Sequence, residues 1–339
     1  MRPVAVRPVR RRCATFGFVF FRWGRRWSTR GRAPETIRSL EDLVAPEAVK
    51  TALKFFYSRN GKRKTGQLHN FALGAIKIAK WWVEAPLEQI KALQAIRREV
   101  YPKETGMTPR NRARLRQFDD PENLRRLINL PEAIVRALLL SEPPSYDQAI
   151  RVQSALAISI LQVAPMRMKN LASLRLGDHV VQTRPGGARH IVVPVEQVKN
   201  KAPLVFEVSD ALGEVLDVYL ARCRPLLAGD PDGFLFPARK GGAKTPAQLA
   251  AQIKRTIKLE TGIDLNAHAF RHLAAMLFLR DYPGEYETTR LILGHKSIAT
   301  TVRAYCGLEQ ADALRRLDAL IDRHRKTQEK ADDPPAPHR

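Results

Sequence analysis

The sequence predicts a mainly α-helical protein with a small antiparallel β-sheet, organised in two domains. Most of the chain repeats apolar residues at intervals of three and four, the spacing of amphipathic helices. Three short runs, HVVQT, RHIVVPV and PLVFEV, are instead rich in β-branched residues, and the turn sequences RPGGA and EQVKNKA separate them. The chain has 339 residues, of which 44% are hydrophobic, and this is enough for about two soluble domains.

The first 33 residues differ in composition from the rest of the chain. They contain ten arginines and no acidic residue, so we expect residues 1–33 to be a basic, disordered segment, with a DNA-gripping arm as the alternative. The longest apolar run here, CATFGFVFF, is too short to span a bilayer and has no clear cleavage site behind it. No membrane partner is therefore expected.

Residues 34–117 are predicted to form a small all-helical domain. SLEDLVAPEAVKTALKFFYSRN, QLHNFALGAIKIAKWWVE and PLEQIKALQAIRREVYP have helical spacing, and TPRNRARLRQF adds a basic fourth helix. Between residues 35 and 115 there are 16 Lys and Arg against 8 Asp and Glu. We therefore expect this domain to present a cationic face.

Residues 118–325 are predicted to form a second domain of mixed α and β structure. A long apolar helix, YDQAIRVQSALAISILQVAP, is stopped by Pro165, and the three β-branched runs that follow suggest an antiparallel meander. TPAQLAAQIKRTIKLETG returns to helix, with Gly262 as its stop. The tail, residues 326–339, is expected to be disordered.

The formal net charge of +24 indicates a polyanionic partner, and the charge alone fits either nucleic acid or an anionic membrane. Cys13, Cys223 and Cys306 are odd in number and far apart, with no C-x-x-C. This indicates a reducing cytoplasm and argues against a structural zinc site. The sequence has no G-x-x-x-x-G-K-[ST] motif, so nothing in it calls for ATP. No cofactor is expected.

Two stretches, HAFRHLAAML and LGHKSIATTVRAY, hold polar side chains in a fixed order. Asn266 is expected to cap the helix on which His268 and Arg271 lie three residues apart on one face. A second helix should end at Gly294, which places His295 at a helix boundary, and a third should end in Tyr305. Each residue alone could belong to a helix surface, but H-x-x-R … L-G-H-x-x-x-x-T-T-x-x-x-Y is specific as a set.

This order of residues resembles the tyrosine recombinases, also called the phage integrase family. The matching motif covers residues 268–305, and the family has a further arginine after the first long helix of its catalytic domain. PMRMKNLASLRL offers Arg167 at that point, although Asn170 replaces the family's acidic residue. The resemblance also implies a lysine between the second and third strands, for which Lys199 is favoured and Lys201 is the alternative.

The resemblance implies a covalent mechanism in which a tyrosine attacks a DNA phosphodiester and is later expelled by a 5′-hydroxyl. The two arginines would stabilise the charge on the phosphate oxygens, and the lysine would protonate the leaving 5′-oxygen. One histidine would bond to the phosphate and the other would accept the tyrosine proton, and the sequence leaves their order open. No metal is called for. The implied catalytic residues are Arg167, Lys199, His268, Arg271, His295 and Tyr305, with Tyr305 as the nucleophile.

One departure from the family concerns the spacing of the nucleophile. Tyr305 lies ten residues after His295, one more than the commonest spacing, and no other tyrosine competes nearby. The resemblance covers residues 118–325 by motif, and it extends to residues 34–117 only through the helical, SAM-like core-binding domain that the family places there.

The implied partners are double-stranded DNA and further copies of this chain, four of which would form a synapse on the DNA. The last amphipathic stretch, GLEQADALRRLDALIDRHR, would pack on its own domain or dock into a neighbouring copy. The implied location is the bacterial cytoplasm, at the nucleoid. Two alternatives stay open at this point: a non-catalytic DNA-binding protein on the same scaffold, and a type IB topoisomerase, which would rejoin the same strand.

Overall fold

The computed structural model describes residues 39–102, 106–140, 143–182, 184, 187–198, 203–228, 233–305 and 310–331; near the end, it leaves out the side chains of 310–312, 315 and 326–331. The chain divides into two compact units, Met1–Thr105 and Gly106–Arg339. The predicted fold class is confirmed, because the described residues are mostly helical with one small antiparallel sheet. None of the described helices combines the length and apolar character needed to cross a membrane.

The first unit consists of helices around a core of its own. Its buried side chains include Leu53, Leu68 and Leu93, which lie on three different helices. The stretch from 39 to 60 forms two helices rather than one, because Pro46 is the first residue of the second. The helices are α1 (Leu40–Val44), α2 (Pro46–Arg59), α3 (Gly66–Trp81) and α4 (Leu87–Glu99).

The second unit is built around one buried central helix. In this helix every residue from 152 to 161 is buried, as expected for an apolar stretch surrounded by other helices. The helices before the sheet are α5 (Pro109–Arg116), α6 (Pro121–Leu139), the central α7 (Tyr146–Val163) and α8 (Met168–Ala172). Those after it are α9 (Asp210–Val218), α10 (Arg224–Leu227), α11 (Pro246–Thr261), α12 (Ala269–Asp281), α13 (Tyr286–Leu293), α14 (Ile298–Tyr305) and α15 (Gln310–Ala331).

The three predicted β-branched runs form one antiparallel sheet in the order β1-β2-β3. In its register Val180 pairs with Ile191, and Ile191 in turn pairs with Phe206. Ile191 and Val193 point to the core, where both are fully or almost fully buried. The strands are β1 (Val180–Gln182), β2 (Arg189–Val193) and β3 (Leu204–Glu207).

The division between the units falls twelve residues earlier than the expected boundary after residue 117. The reason is that α5 packs on α12, and the segment after α5 is bonded to the loop before α12. The Gln117 side chain donates to the Asp264 carbonyl at 3.3 Å and accepts from the Asp264 amide at 3.0 Å. The basic fourth helix of the sequence therefore belongs to the second unit.

Residues 326–331, which were expected to belong to a disordered tail, are helical. Helix α15 continues to Ala331, because the sequence KTQEKA contains no proline or glycine and the first helix breaker is Pro334. The expectations for residues 1–33 and 332–339, and those for Lys199, Lys201 and Cys306, lie outside the described residues.

Candidate active site

Arg271 lies at the centre of the predicted site and connects three parts of the chain. It is on the first turn of α12, whose N-cap is His268 and not the expected Asn266, although the Asn266 side chain accepts from the Ala269 amide at 2.9 Å. Its side chain is 5% exposed, and Nη1 donates to the Pro165 carbonyl at 2.6 Å while Nη2 donates to the Leu293 carbonyl. These carbonyls lie two residues before Arg167 and two before His295, so Arg271 holds both predicted site segments together.

Arg167 adds a second positive charge to the same place. It is partly buried immediately before α8. Burial lowers the pKa of Arg271 to about 10, and the positive charge of Arg167 lowers it further. The same charge also lowers the pKa of His268 and of His295. Two arginines that repel each other in a partly dry site form a place prepared for an anion.

His295 is oriented by the turn that ends α13. Gly294 adopts a left-handed conformation with φ of 55°, which stops the helix and turns the next residue into the site. The His295 ring bonds through Nδ1 to Thr301 Oγ1 at 3.0 Å, and its carbonyl accepts from Arg290 Nη1 at 2.8 Å. Burial lowers its pKa to about 4, helped by the charges of Arg271, Arg167 and Arg290, so the ring is neutral at pH 7.

Tyr305 is the last residue of α14 and is 2% exposed. Thr301 lies one turn earlier on the same buried face, so the helix presents the tyrosine and the partner of His295 to one site. The Tyr305 hydroxyl is 2.9 Å from Nδ1 of His272. Burial raises the pKa of Tyr305 to about 12, although the charge of Arg271 acts in the opposite direction.

The histidine in contact with Tyr305 is His272, which the sequence analysis did not single out. His268, one of the two histidines predicted to act on the phosphate or the tyrosine proton, is exposed, and its ring centre lies 5.3 Å from that of His272. A helical signal was present in the sequence, because residues 268 and 272 are four apart and therefore share a face. The pKa of His272 is lowered to about 4. Burial is the largest cause, and His268, Arg271 and His295 lower this pKa further.

A pocket beside the arginines connects the site to the sheet. Arg167, Arg271 and Gly294 line it on one side, and Val198 and Phe206 line it on the other. Val198 is the residue before Lys199, whose own position lies outside the described residues. The structure thus brings together Arg167, Arg271, His268, His295 and Tyr305 and adds His272.

Comparison with known proteins identifies one family and several solved structures. The model of the phage integrase family matches residues 122–311. The fold is similar to that of XerA recombinase, with 15% identity, coverage of 93% of this chain and 92% of that chain, and a TM-score of 0.41. It is also similar to a lambda integrase(75–356) dimer bound to a COC′ core site, with 15% identity, coverage of 84% and 93%, and a TM-score of 0.43.

A third similar structure is XerH site-specific recombinase in a post-cleavage complex with palindromic difH substrate, at 15% identity, coverage of 82% and 85%, and a TM-score of 0.42. A search of curated proteins finds no match. Structural similarity at this level carries no argument about the site, so the assignment of the family rests on the family match, which covers more than half of the chain.

Proposed function

The chain belongs to the phage integrase family and is a tyrosine-type site-specific recombinase, and on this basis we propose that it cleaves and rejoins DNA through a 3′-phosphotyrosyl link to Tyr305. The observation that supports this most directly is the position of the Tyr305 hydroxyl. It bonds to a neutral histidine, beside a pair of arginines that form an anion site.

In the proposed reaction the Tyr305 oxygen attacks the phosphorus of one phosphodiester. A phosphorus–oxygen bond to tyrosine forms while the bond from phosphorus to the DNA 5′-oxygen breaks. The tyrosine gives its proton to a base, and the leaving oxygen receives a proton from an acid, which frees a 5′-hydroxyl. A 5′-hydroxyl then attacks the link and expels the tyrosine, and because the link keeps the bond energy, neither ATP nor a metal is required.

Arg167 and Arg271 have the properties that binding of the scissile phosphate requires. Planar guanidinium groups give paired, charge-assisted hydrogen bonds to phosphate oxygens, and their effect is largest where water is excluded. Arg271 is buried and held by two carbonyls, so it needs no reordering when DNA binds. The charge that builds on the phosphate in the transition state would meet fixed positive groups.

His295 and His268 are proposed to act on the phosphate and on the tyrosine proton, respectively. The hydrogen bond of His295 Nδ1 to Thr301 leaves its other nitrogen to bond a phosphate oxygen. His268 is exposed, so water can stabilise the charge that its ring gains when it accepts the tyrosine proton. This division deepens the sequence analysis, which left the two roles open.

Lys199 is proposed as the acid that protonates the leaving 5′-oxygen, with Lys201 as its alternative. Support comes from Val198, which is 4% exposed and lines the pocket beside Arg167 and Arg271. The chain therefore passes the two arginines at Val198, the residue that directly precedes Lys199 in the sequence. A lysine suits this task because its stem is long and its pKa shifts readily when desolvated.

Assembly into a homo-oligomer on double-stranded DNA, with four copies in the synapse, is also part of the proposal. Helix α15 supports it, because Leu314, Leu317, Leu320 and Ile321 are 40–59% exposed on its surface. The second unit also has an apolar groove between α6, α7, α9 and α12. An uncovered apolar row of this kind is typical of an interaction surface.

The proposal is tested with nicked duplexes made from DNA flanking the gene. Cleavage near the nick releases a short fragment, so the covalent protein–DNA adduct cannot reverse and is retained on a denaturing gel. We expect an adduct with EDTA present and without ATP, and none with Tyr305→Phe. Mass spectrometry should place the nucleotide on the peptide that contains Tyr305.

Matched variants separate chemistry from folding in this experiment. Tyr282→Phe changes an exposed tyrosine of the same unit and should form adduct at the wild-type rate. On duplexes with sulfur as the 5′-bridging atom, whose departure needs no acid, the lysine variant that lost cleavage, Lys199→Ala or Lys201→Ala, should recover it. Adduct formation by Tyr305→Phe, or wild-type binding in a synapse without any adduct, would overturn the proposal.

A further inference from the structure

A chain of hydrogen bonds leads from α5 to the tyrosine hydroxyl. Arg114 Nη1 donates to Asn111 Oδ1 at 3.3 Å, and Asn111 Nδ2 is 3.2 Å from His272 Nε2. On the other side of the ring, His272 Nδ1 is 2.9 Å from the Tyr305 hydroxyl. Arg114 is itself 8% exposed, and its Nε lies 3.7 Å from Asp264 Oδ2. This series of hydrogen bonds begins at the buried guanidinium of Arg114 and ends at the Tyr305 oxygen, the proposed nucleophile.

The chemistry of the groups fixes the direction of each hydrogen bond. A guanidinium can only donate, so the atom of Asn111 that faces Arg114 must be its oxygen. The amide nitrogen then faces His272 and can only donate to it, which makes Nε2 of His272 an acceptor. A neutral imidazole carries one N–H, so that hydrogen must be on Nδ1, which points to Tyr305.

The opposite tautomer would place two donors face to face. With hydrogen on Nε2, His272 would point an N–H at the NH₂ group of Asn111. Turning the amide round would relieve that contact but would direct the NH₂ group at Arg114, again donor against donor. Arg114 therefore selects the orientation of Asn111, and Asn111 selects the tautomer of His272.

We propose that Asn111 is a positioning residue that keeps His272 protonated on Nδ1, so that His272 donates a hydrogen bond to the Tyr305 oxygen. His272 then stabilises the negative charge on that oxygen during attack and does not take its proton. The inference rests on the proposed role of Tyr305 as nucleophile. The tyrosine proton then goes to a different base, for which the proposed function names His268.

The surroundings of His272 favour this role over that of a base. The titratable groups that face it are His268 at the N-cap of α12, Arg271 on α12, His295 before α14 and Tyr305 on α14. The first three oppose a positive charge on His272, and burial opposes it as well. A histidine that resists protonation is a poor base but remains a good neutral donor.

Histidine NMR tests the tautomer directly. The full-length protein is labelled with ¹⁵N-histidine, and long-range ¹H–¹⁵N spectra distinguish the protonated ring nitrogen from the other one. The signals that His272→Gln removes belong to His272. We expect the pattern of Nδ1 protonation in the wild type, whereas a pattern of Nε2 protonation would overturn the inference whatever the variants do.

Asn111→Asp should reverse the tautomer, because a carboxylate accepts from Nε2–H and can still face Arg114. His272 then loses the hydrogen on Nδ1, and adduct formation at pH 7 should fall by about 100-fold, the effect of removing one donor to a developing oxyanion. The alkaline rise of the cleavage rate should also move to higher pH. DNA affinity should stay unchanged.

Asn129→Asp supplies the matched control, since it adds the same charge at an exposed position of α6. It should change neither the tautomer nor the rate. An unchanged tautomer or rate in folded Asn111→Asp would contradict the inference. If neither the wild type nor any variant formed adduct, the proposed function would be wrong. The tautomer of His272 would still be tested separately, by NMR.

Discussion

Arg271 is a buried cation. The groups that shift its pKa include a second positive charge, that of Arg167, and none of them is a carboxylate. Lowering an arginine pKa from 12.5 to about 10 corresponds to roughly 3 kcal/mol of unfavourable free energy in the charged form. This unfavourable free energy is present in the folded protein without DNA. In the proposed function, a phosphate bound between Arg167 and Arg271 would offset the repulsion between the two positive charges.

The neutral histidines make the stability of the second unit depend on pH. His272 and His295 have folded-state pKa values of about 4 against an ordinary value of 6.5, so the unfolded chain binds their protons first as the pH falls. Stability should be full above pH 6.5, decline between pH 6.5 and 4, and level off below. Urea unfolding across pH 4–8 measures this, and His272→Gln should reduce the loss by up to about 3 kcal/mol. An equal loss in His272→Gln would contradict the assigned burial of its ring.

Most of the predicted site residues lie in a short stretch of sequence, whereas His272, which was not predicted, meets a partner that is distant along the chain. His268, Arg271, His295 and Tyr305 lie in a short ordered motif, whereas the importance of His272 depends on a partner 161 residues away. Periodicity places His272 on the face of His268 but cannot reveal what that face meets. Only the packing of α5 on α12 shows that Asn111 reaches the ring.

The spacing from His295 to Tyr305 is one residue longer than is commonest in the family, and the segment between them is divided between a non-helical stretch and α14. The chain is non-helical from His295 to Ser297, and α14 then runs from Ile298 to Tyr305. Within the helix Thr301 and Tyr305 are four residues apart and both are buried, so they share one face. The longer spacing therefore determines which face of α14 carries Tyr305, and this face is the one that meets His272.

Deleting Ala304 tests whether this position of Tyr305 around the axis of α14 is required. The tyrosine would move to three residues after Thr301, which turns it by about 100° around the helix axis and shifts it by about 1.5 Å. Adduct formation should fall by at least about 100-fold, since misplacement by about 1 Å has a cost of that order. Ala304→Ser keeps the length and should remain active. If the deletion restored the commonest family spacing and raised the rate, the assigned register would be wrong.

Local patterns predicted most elements, and non-local contacts account for the differences. The β-branched runs gave the three strands and their antiparallel order, and Gly262 and Gly294 end their helices in the left-handed conformation. Pro46 divides a stretch that periodicity alone reads as one helix. The compact units divide after residue 105, whereas the expected boundary follows residue 117, and the contact of Gln117 with Asp264 joins residues that are 147 apart in the sequence.

In the molecule as a whole, each unit has a hydrophobic core of its own. The buried residues of one cluster lie between Val44 and Ile96, and those of the other lie between Met107 and Tyr305. A fragment of residues 106–339 should therefore fold alone and unfold cooperatively, which circular dichroism on heating measures. A fragment without a cooperative transition would show that the first unit is needed for the second to fold.

The charge is divided unevenly between the two parts. Residues 1–105 contain 23 Lys and Arg against 8 Asp and Glu, whereas residues 106–339 contain 35 against 26. The logarithm of DNA affinity should therefore fall more steeply with the logarithm of salt concentration for the full chain than for the fragment, by about 0.9 for each phosphate that residues 1–105 bind. Equal slopes in fluorescence anisotropy titrations would mean that residues 1–105 bind no phosphates.

The two carbonyl bonds of Arg271 also have a consequence for the growing polypeptide. Their acceptors are the carbonyls of Pro165 and Leu293, and the proposed nucleophile is Tyr305. A ribosome releases these segments in chain order, N-terminal first. Until the segment after residue 293 has emerged, Arg271 lacks one of its two supports and the tyrosine is absent. A chain still being synthesised would therefore carry its basic residues before Tyr305, the proposed nucleophile, is present.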